Sequence, residues 1–125
     1  MEKKVISDRK VALANKDFMG RVSREGLILA YNEDADLMSI IIGTPQEAIT
    51  EPLLDNVLYR IDPDTLKIVG FEILDFKSDF LPHNRLMQEY FSLIYNGRKI
   101  SGEISLSPEK LLEAPGLAAL MVILM

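Results

Sequence analysis

The chain contains no cysteine and a single histidine. Without thiols it can form no disulfide, no thiolate nucleophile and none of the usual structural zinc sites. With His83 alone, no multi-histidine metal site and no choice of Ser-His-Asp triads can be drawn. Between Pro82 and Asn84, that histidine reads as a residue at the mouth of a helix. No glycine-rich phosphate loop, nucleophile elbow or HExxH motif is present, and Gly43 and Gly70 stand alone. Basic runs are also lacking. None is longer than Lys3-Lys4, and the formal net charge is −5. Phosphate recognition needs a dense basic face, so nucleic acid is not an expected partner. The longest apolar run, Leu117–Met125, is nine residues, where a bilayer-crossing helix needs about 20, so no membrane partner is expected either. Met1-Glu2-Lys3-Lys4-Val5 lacks the apolar core and cleavage site of a secretory signal. A cytoplasmic location is the expectation.

What is present is an ordinary globular balance, with 125 residues, 48% hydrophobic and 26% charged. That composition argues against disorder, and the length predicts one domain over residues 1–125 with one core. No repeat or low-complexity stretch divides it.

Two hairpins dominate the pattern, within a core expected over 27–76. Leu27–Tyr31 and Leu37–Gly43 are rich in Leu, Ile and Met and are separated by the polar Asn32-Glu33-Asp34-Ala35-Asp36. Both faces of these strands carry apolar side chains, so both need a cover, from helices or from a second subunit. Val57–Asp62 alternates, with Val57, Tyr59 and Ile61 on one face and Leu58 and Arg60 on the other. Pro63-Asp64-Thr65-Leu66 turns the chain into a long strand, Lys67–Phe76. Pairing Asp62 with Lys67 sets Tyr59 opposite Gly70, where the ring can cover the missing side chain.

Leu86, Met87, Tyr90, Phe91 and Ile94 recur at helical spacing. They predict an amphipathic helix over about 84–96, introduced by Asp79 or Asn84 and stopped by Asn96-Gly97. Earlier in the chain, Val11, Ala14, Phe18 and Val22 also follow helical spacing, with Gly20 as a stop. The alternative there is a hairpin of Lys4–Ile6 with Val11–Leu13. Lys99–Leu106 reads as an edge strand, and Ser107-Pro108 opens a short helix ending near Pro115-Gly116. The expected architecture is α+β: an antiparallel β-meander of about four to five strands with the 84–96 helix on one face.

From Leu27 to Asp75 the chain resembles the proteins grouped as domain of unknown function 2283. The resemblance rests on Tyr31-Asn32-Glu33-Asp34-Ala35-Asp36, Thr50-Glu51, Asp55-Asn56-Val57, Asp62-Pro63-Asp64 and Ile68–Asp75. Ser39-Ile40-Ile41 departs from it, since family members often carry an aromatic in that strand, and the segments before Leu27 and after Asp79 are additions. The resemblance implies a small prokaryotic, cytosolic, β-rich protein with no assigned activity, some relatives being antitoxin-like partners of small toxin-like proteins. A shared fold does not by itself transfer a function.

The candidate sites are few. Asn32–Asp36 alternates oxygen ligands as calcium loops do, but Leu37 stands where the loop needs glycine and Gly43 where it needs glutamate. Asp62-Pro63-Asp64 fails likewise at Lys67. Both read as turns, and no metal or cofactor is expected. Thr50 and the carboxylates Glu51, Asp55, Glu72 and Asp75 are the candidate binding residues, since two converging carboxylates can do acid–base work. Against this, Glu72 in a strand is well placed to pair with Arg60, and Asp55-Asn56 to make a turn. Phe71, Phe76, Phe80, Tyr90 and Phe91 read as core, without the interleaved cations of a base-stacking platform. Last is the apolar tail, whose Leu117, Leu120, Met121, Val122, Ile123 and Leu124 complete either this subunit's core or an interface between subunits. The leading expectation is a non-catalytic interaction or oligomerisation module, a homodimer with a possible small protein partner. The alternative is a small-molecule or metal-binding protein, or an enzyme, using the carboxylate cluster.

Overall fold

The computed structural model describes residues 8–113. The apolar tail and its expected interface residues lie outside the described residues, as does most of the N-terminal hairpin alternative. Within them the fold is α+β, with a six-stranded, fully antiparallel sheet in the order β3-β4-β5-β2-β1-β6. The strands are β1 Leu27–Asn32, β2 Leu37–Ile42, β3 Ile49–Leu54, β4 Val57–Ile61, β5 Ile68–Ile73 and β6 Gly102–Leu106. The helices are α1 Asp8–Ala14, α2 Phe18–Glu25, α3 Arg85–Ile94 and α4 Pro108–Glu113.

The sheet is a hairpin, β1–β2, joined to a meander, β3–β4–β5, along the β2–β5 seam. Both predicted hairpins form, and the strand count is higher than expected because β3 was not read as a strand. Its sequence, with Thr50, Glu51 and Pro52, lacks strand alternation, and an edge strand tolerates proline because one row of its N–H groups needs no partner. At the seam, Gly70 is required sterically. A Cβ there would stand 2.6 Å from the Ile40 carbonyl oxygen, so any side chain would wedge β5 from β2.

The register of β4 on β5 differs from expectation. The Asp62 N–H does donate to the Lys67 carbonyl at 2.9 Å, but Ile61 faces Ile68 while Arg60 faces Gly70, leaving Val69 as an extra residue. This bulge shifts Tyr59 from Gly70 to Phe71. It also turns Ile68 and Phe71, three residues apart, to the same buried side, which a regular strand with its two-residue period cannot do. β5 is shorter than predicted, ending at Ile73, because Asp75 adopts a left-handed backbone, φ 50°, and turns the chain into a π-helical turn, Phe76–Phe80.

The N-terminal segment is helical as expected, but as two helices broken at Asn15. Gly20 lies inside α2 instead of ending it, and the stop is Gly26 at φ 80°. Asn15, 5% exposed, is the only buried polar side chain among the described residues. Its Nδ2 donates to the carbonyls of Val11 at 2.7 Å and Leu66 at 2.9 Å. Its Oδ1 accepts from the Ile68 N–H at 2.7 Å and from Arg21 at 3.4 Å. Arg21 also donates to the Ile68 carbonyl at 3.0 Å. The bulged start of β5 thus finds its partners in the break between two helices.

All the buried helix residues join one core. Val11, Phe18 and Val22 from α1 and α2, and Met87 and Phe91 from α3, pack with Leu29, Met38, Ile40, Tyr59, Phe71 and Ile73. Phe18 meets Phe71 edge-on at 6.0 Å, and Phe76 meets Phe91 at 4.9 Å. Helix α3 follows the predicted apolar stripe and ends at Asn96 and Gly97, both with positive φ. Leu86, placed on that stripe, is instead 57% exposed.

A second polar latch holds the far end of β5. Asp36, at φ 50°, closes the β1–β2 hairpin. Its carboxylate accepts from the Tyr31 hydroxyl at 2.6 Å and from the N–H groups of Lys77 at 2.8 Å and Ser78 at 3.1 Å. Its own carbonyl accepts from the Phe76 N–H at 3.0 Å. Burial opposes ionisation of Asp36, but the hydrogen bonds from Ser78, Tyr31 and the Lys77 amide outweigh it and hold the carboxyl well below the usual carboxylate range. Burial, reinforced by the bond to Asp36, pushes the Tyr31 hydroxyl up to about 12.

Two outcomes are expected. Replacing Asn15 with the similarly sized leucine orphans the Ile68 N–H and the Leu66 carbonyl, and should cost about 1–3 kcal/mol in urea unfolding. Asp36→Asn keeps a residue tolerant of positive φ but removes the charge, and should cost a similar ~1–3 kcal/mol at pH 7. Because the folded carboxyl titrates below its unfolded value of about 3.9, the benefit is full above that value and drains away as pH falls from there through the depressed folded value. The wild-type and Asp36→Asn unfolding curves should therefore converge in acid.

Candidate interaction surface

Strand parity divides the sheet into a covered and an open face. The cross-strand pairings lay two rows across the open one. The first runs Ser105, Ile28, Ile41, Gly70, Arg60, Thr50, and the second Glu103, Ala30, Ser39, Glu72, Leu58, Pro52. No helix among the described residues packs on this face. Among the described residues the expected helical cover is present on one side of the sheet, where α1, α2 and α3 all join the core cluster.

The open face is apolar at its centre, where Ile28 and Ile41 sit side by side with Ala30, and small at Gly70 and Ser39. Beside this patch Arg60 and Glu72 form an ion pair, Nε to Oε1 at 3.9 Å, with side chains 25% and 27% exposed. A partly exposed pair at that separation contributes little to stability, ~0–1 kcal/mol. Arg60 also donates to the Gln46 carbonyl at 3.2 Å. The row ends are polar or small, with Ser105 and Glu103 on β6 and Thr50 on β3.

The four candidate carboxylates are not brought together. Glu72 lies on the open face and pairs with Arg60, as its place in the strand predicts. Glu51 pairs across from Tyr59 and so belongs to the covered face at the β3 edge, with strand β4 between it and Glu72. Asp55 sits in the tight β3–β4 turn, where the Asn56 side chain donates to the Leu74 carbonyl at 3.0 Å. Asp75 occupies the turn after β5. Two carboxylates on opposite faces of a sheet cannot act on one substrate, so Glu51 and Glu72 do not form an acid–base pair.

The two acidic segments that imitate calcium loops spend their oxygens on turns. The Asn32 side chain accepts from the Ala35 N–H at 3.1 Å, Glu33 binds Lys99 at 3.0 Å, and Asp36 makes the latch described above. Asp62 Oδ1 accepts from the N–H groups of Asp64 at 2.8 Å and Thr65 at 3.1 Å, which lowers the pKa of its carboxyl. Among the described residues no group of three or more His, Asp or Glu is placed to hold a metal ion. His83 precedes α3, as read, with Nδ1 3.2 Å from Asp79 Oδ1. Asp55 shares an open cleft of about 690 Å³ with that pair. Phe71, Phe76, Phe80 and Phe91 are core, and Tyr90 is half-buried against it.

The sequence did not by itself indicate which face the helices would cover. The signal was present in part, since Leu58 and Arg60 alternate with the buried Val57, Tyr59 and Ile61. No helix of the described residues is long and apolar enough to cross a membrane. No family model, curated protein or solved structure matches the chain.

Proposed function

We propose that the protein is a non-catalytic oligomerisation and interaction module whose open sheet face packs on the same face of a second copy. The observation that carries this reading is the open face itself, an apolar centre beside a weakly held Arg60–Glu72 pair. A two-fold axis places each residue against its counterpart's surroundings, so a surface that carries both members of an ion pair complements itself. Arg60 of one copy can meet Glu72 of the other, and the long intrasubunit contact is easily exchanged. This favours a second copy over an unrelated chain, including the toxin-like partner that the resemblance over residues 27–75 implies.

Size sets the expected strength. Six strands about 4.8 Å apart and some five residues deep give a flat patch of roughly 500 Å² per subunit, so a pair buries about 1,000 Å². That is the lower limit for a specific interface, so the dimer should dissociate in the micromolar range.

Sedimentation velocity on the full chain should show a concentration-dependent dimer, and Ile41→Glu should shift it to monomer without lowering the melting temperature. Arg60→Glu and Glu72→Arg should each weaken self-association, because each leaves like charges facing across the axis. Mixing those two variants should recover dimer as the heterodimer. A wild-type chain monomeric at every accessible concentration, or a mixture no more associated than its components, would sink the proposal.

A further inference from the structure

A cleft of about 520 Å³ opens away from the sheet face, between the π-helical turn, the solvent side of α3 and the segment after it. Its floor is apolar, with Leu81, Pro82 and Ile100, and two cations, Lys77 and Arg98, border it. Among the described residues no carboxylate lines it. That is unusual in a chain with 19 acidic and 14 basic residues, where a random patch would be neutral or negative.

The two cations are differently prepared. The Lys77 ammonium donates to the Ile100 carbonyl at 2.7 Å and lies 4.5 Å from the centre of the Tyr31 ring. An ammonium has three donors, so its position is fixed while part of its hydrogen-bonding capacity is left over. Its backbone is held as well, because the Lys77 N–H is one of the donors to Asp36. Arg98 follows the α3 stop, its N–H donating to the Tyr95 carbonyl at 2.9 Å. Its exposed guanidinium makes no ion pair among the described residues. Gln88 closes one wall with its Nε2 bound to the Leu81 carbonyl at 2.6 Å.

We propose that this cleft binds a small organic carboxylate with an apolar body. The carboxylate lies between Lys77 and Arg98, the guanidinium offering the bidentate fork that matches two carboxylate oxygens. The apolar body covers Leu81, Pro82 and Ile100. The volume falls within the 300–1,000 Å³ typical of ligand sites, and an apolar lining with a few fixed polar groups is their usual chemistry.

The test uses octanoate and its uncharged counterpart 1-octanol as probes on the full chain, followed by calorimetric titration and melting temperature. Octanoate should bind and raise the melting temperature, and octanol should bind at least tenfold more weakly. Arg98→Glu, whose side chain holds no part of the fold, should weaken octanoate at least tenfold with an unchanged melting temperature in the absence of ligand. Arg98→Ala serves as the second variant should the charge reversal perturb folding. Ile41→Glu, on the open sheet face, should bind octanoate as the wild type does. Equal affinity for the two probes, octanoate binding indifferent to both Arg98 variants, binding lost with Ile41→Glu, or no binding at millimolar octanoate would each overturn the proposal.

Discussion

One buried amide organises this fold. Asn15 sits in the break between α1 and α2 and supplies the partners that the bulged start of β5 cannot find in the sheet. A bulge leaves backbone groups outside the ladder, and a buried group without a partner costs more than an ordinary hydrogen bond contributes. The helix pair is therefore fixed on the side of the sheet where those groups point. Phe18 then meets Phe71 and the core closes on that face, while no helix among the described residues covers the opposite one.

β5 is fastened at both ends by polar groups from elsewhere in the chain. Asn15 holds its beginning, and Asp36 holds the turn that follows it. This matters because β5 forms the seam between the β1–β2 hairpin and the β3–β4–β5 meander. Apolar packing alone would tolerate a slip along that seam, since isoleucine recurs on both sides. The latches and the close approach of Gly70 to Ile40 specify one register.

Much of this was legible in the sequence where period and burial agree. β4 and α3 carry their alternation or helical stripe openly, β1 and β2 show as apolar runs around a polar turn, and the Arg60–Glu72 pair follows from their places on neighbouring strands. β3 was not legible, because an edge strand needs no apolar alternation and tolerates Pro52. The Tyr59–Phe71 register depends on a bulge, whose only trace is the run Ile68-Val69-Gly70-Phe71 without a polar break. The face chosen by the helices depends on Asn15, which looks in sequence like any polar residue between apolar ones. The separation of Glu51 from Glu72 is a matter of strand parity, and without β3 as a strand that parity could not be counted. The Lys77–Arg98 cleft joins segments that only the tertiary fold brings together.

Pro52 has a further consequence. Among the described residues the six-stranded sheet has two edge strands, and an edge strand is a template on which another chain can extend the ladder. At β3 the proline removes a donor, and the register irregularity between Pro52 and Leu54 bends the strand out of line. β6 is only five residues long and begins with Gly102 and the exposed Glu103. Strand-by-strand addition, which has no natural end and leads to fibrils, is therefore discouraged at both margins. The devices that guard the two edge strands therefore act independently of whatever covers the faces of the sheet.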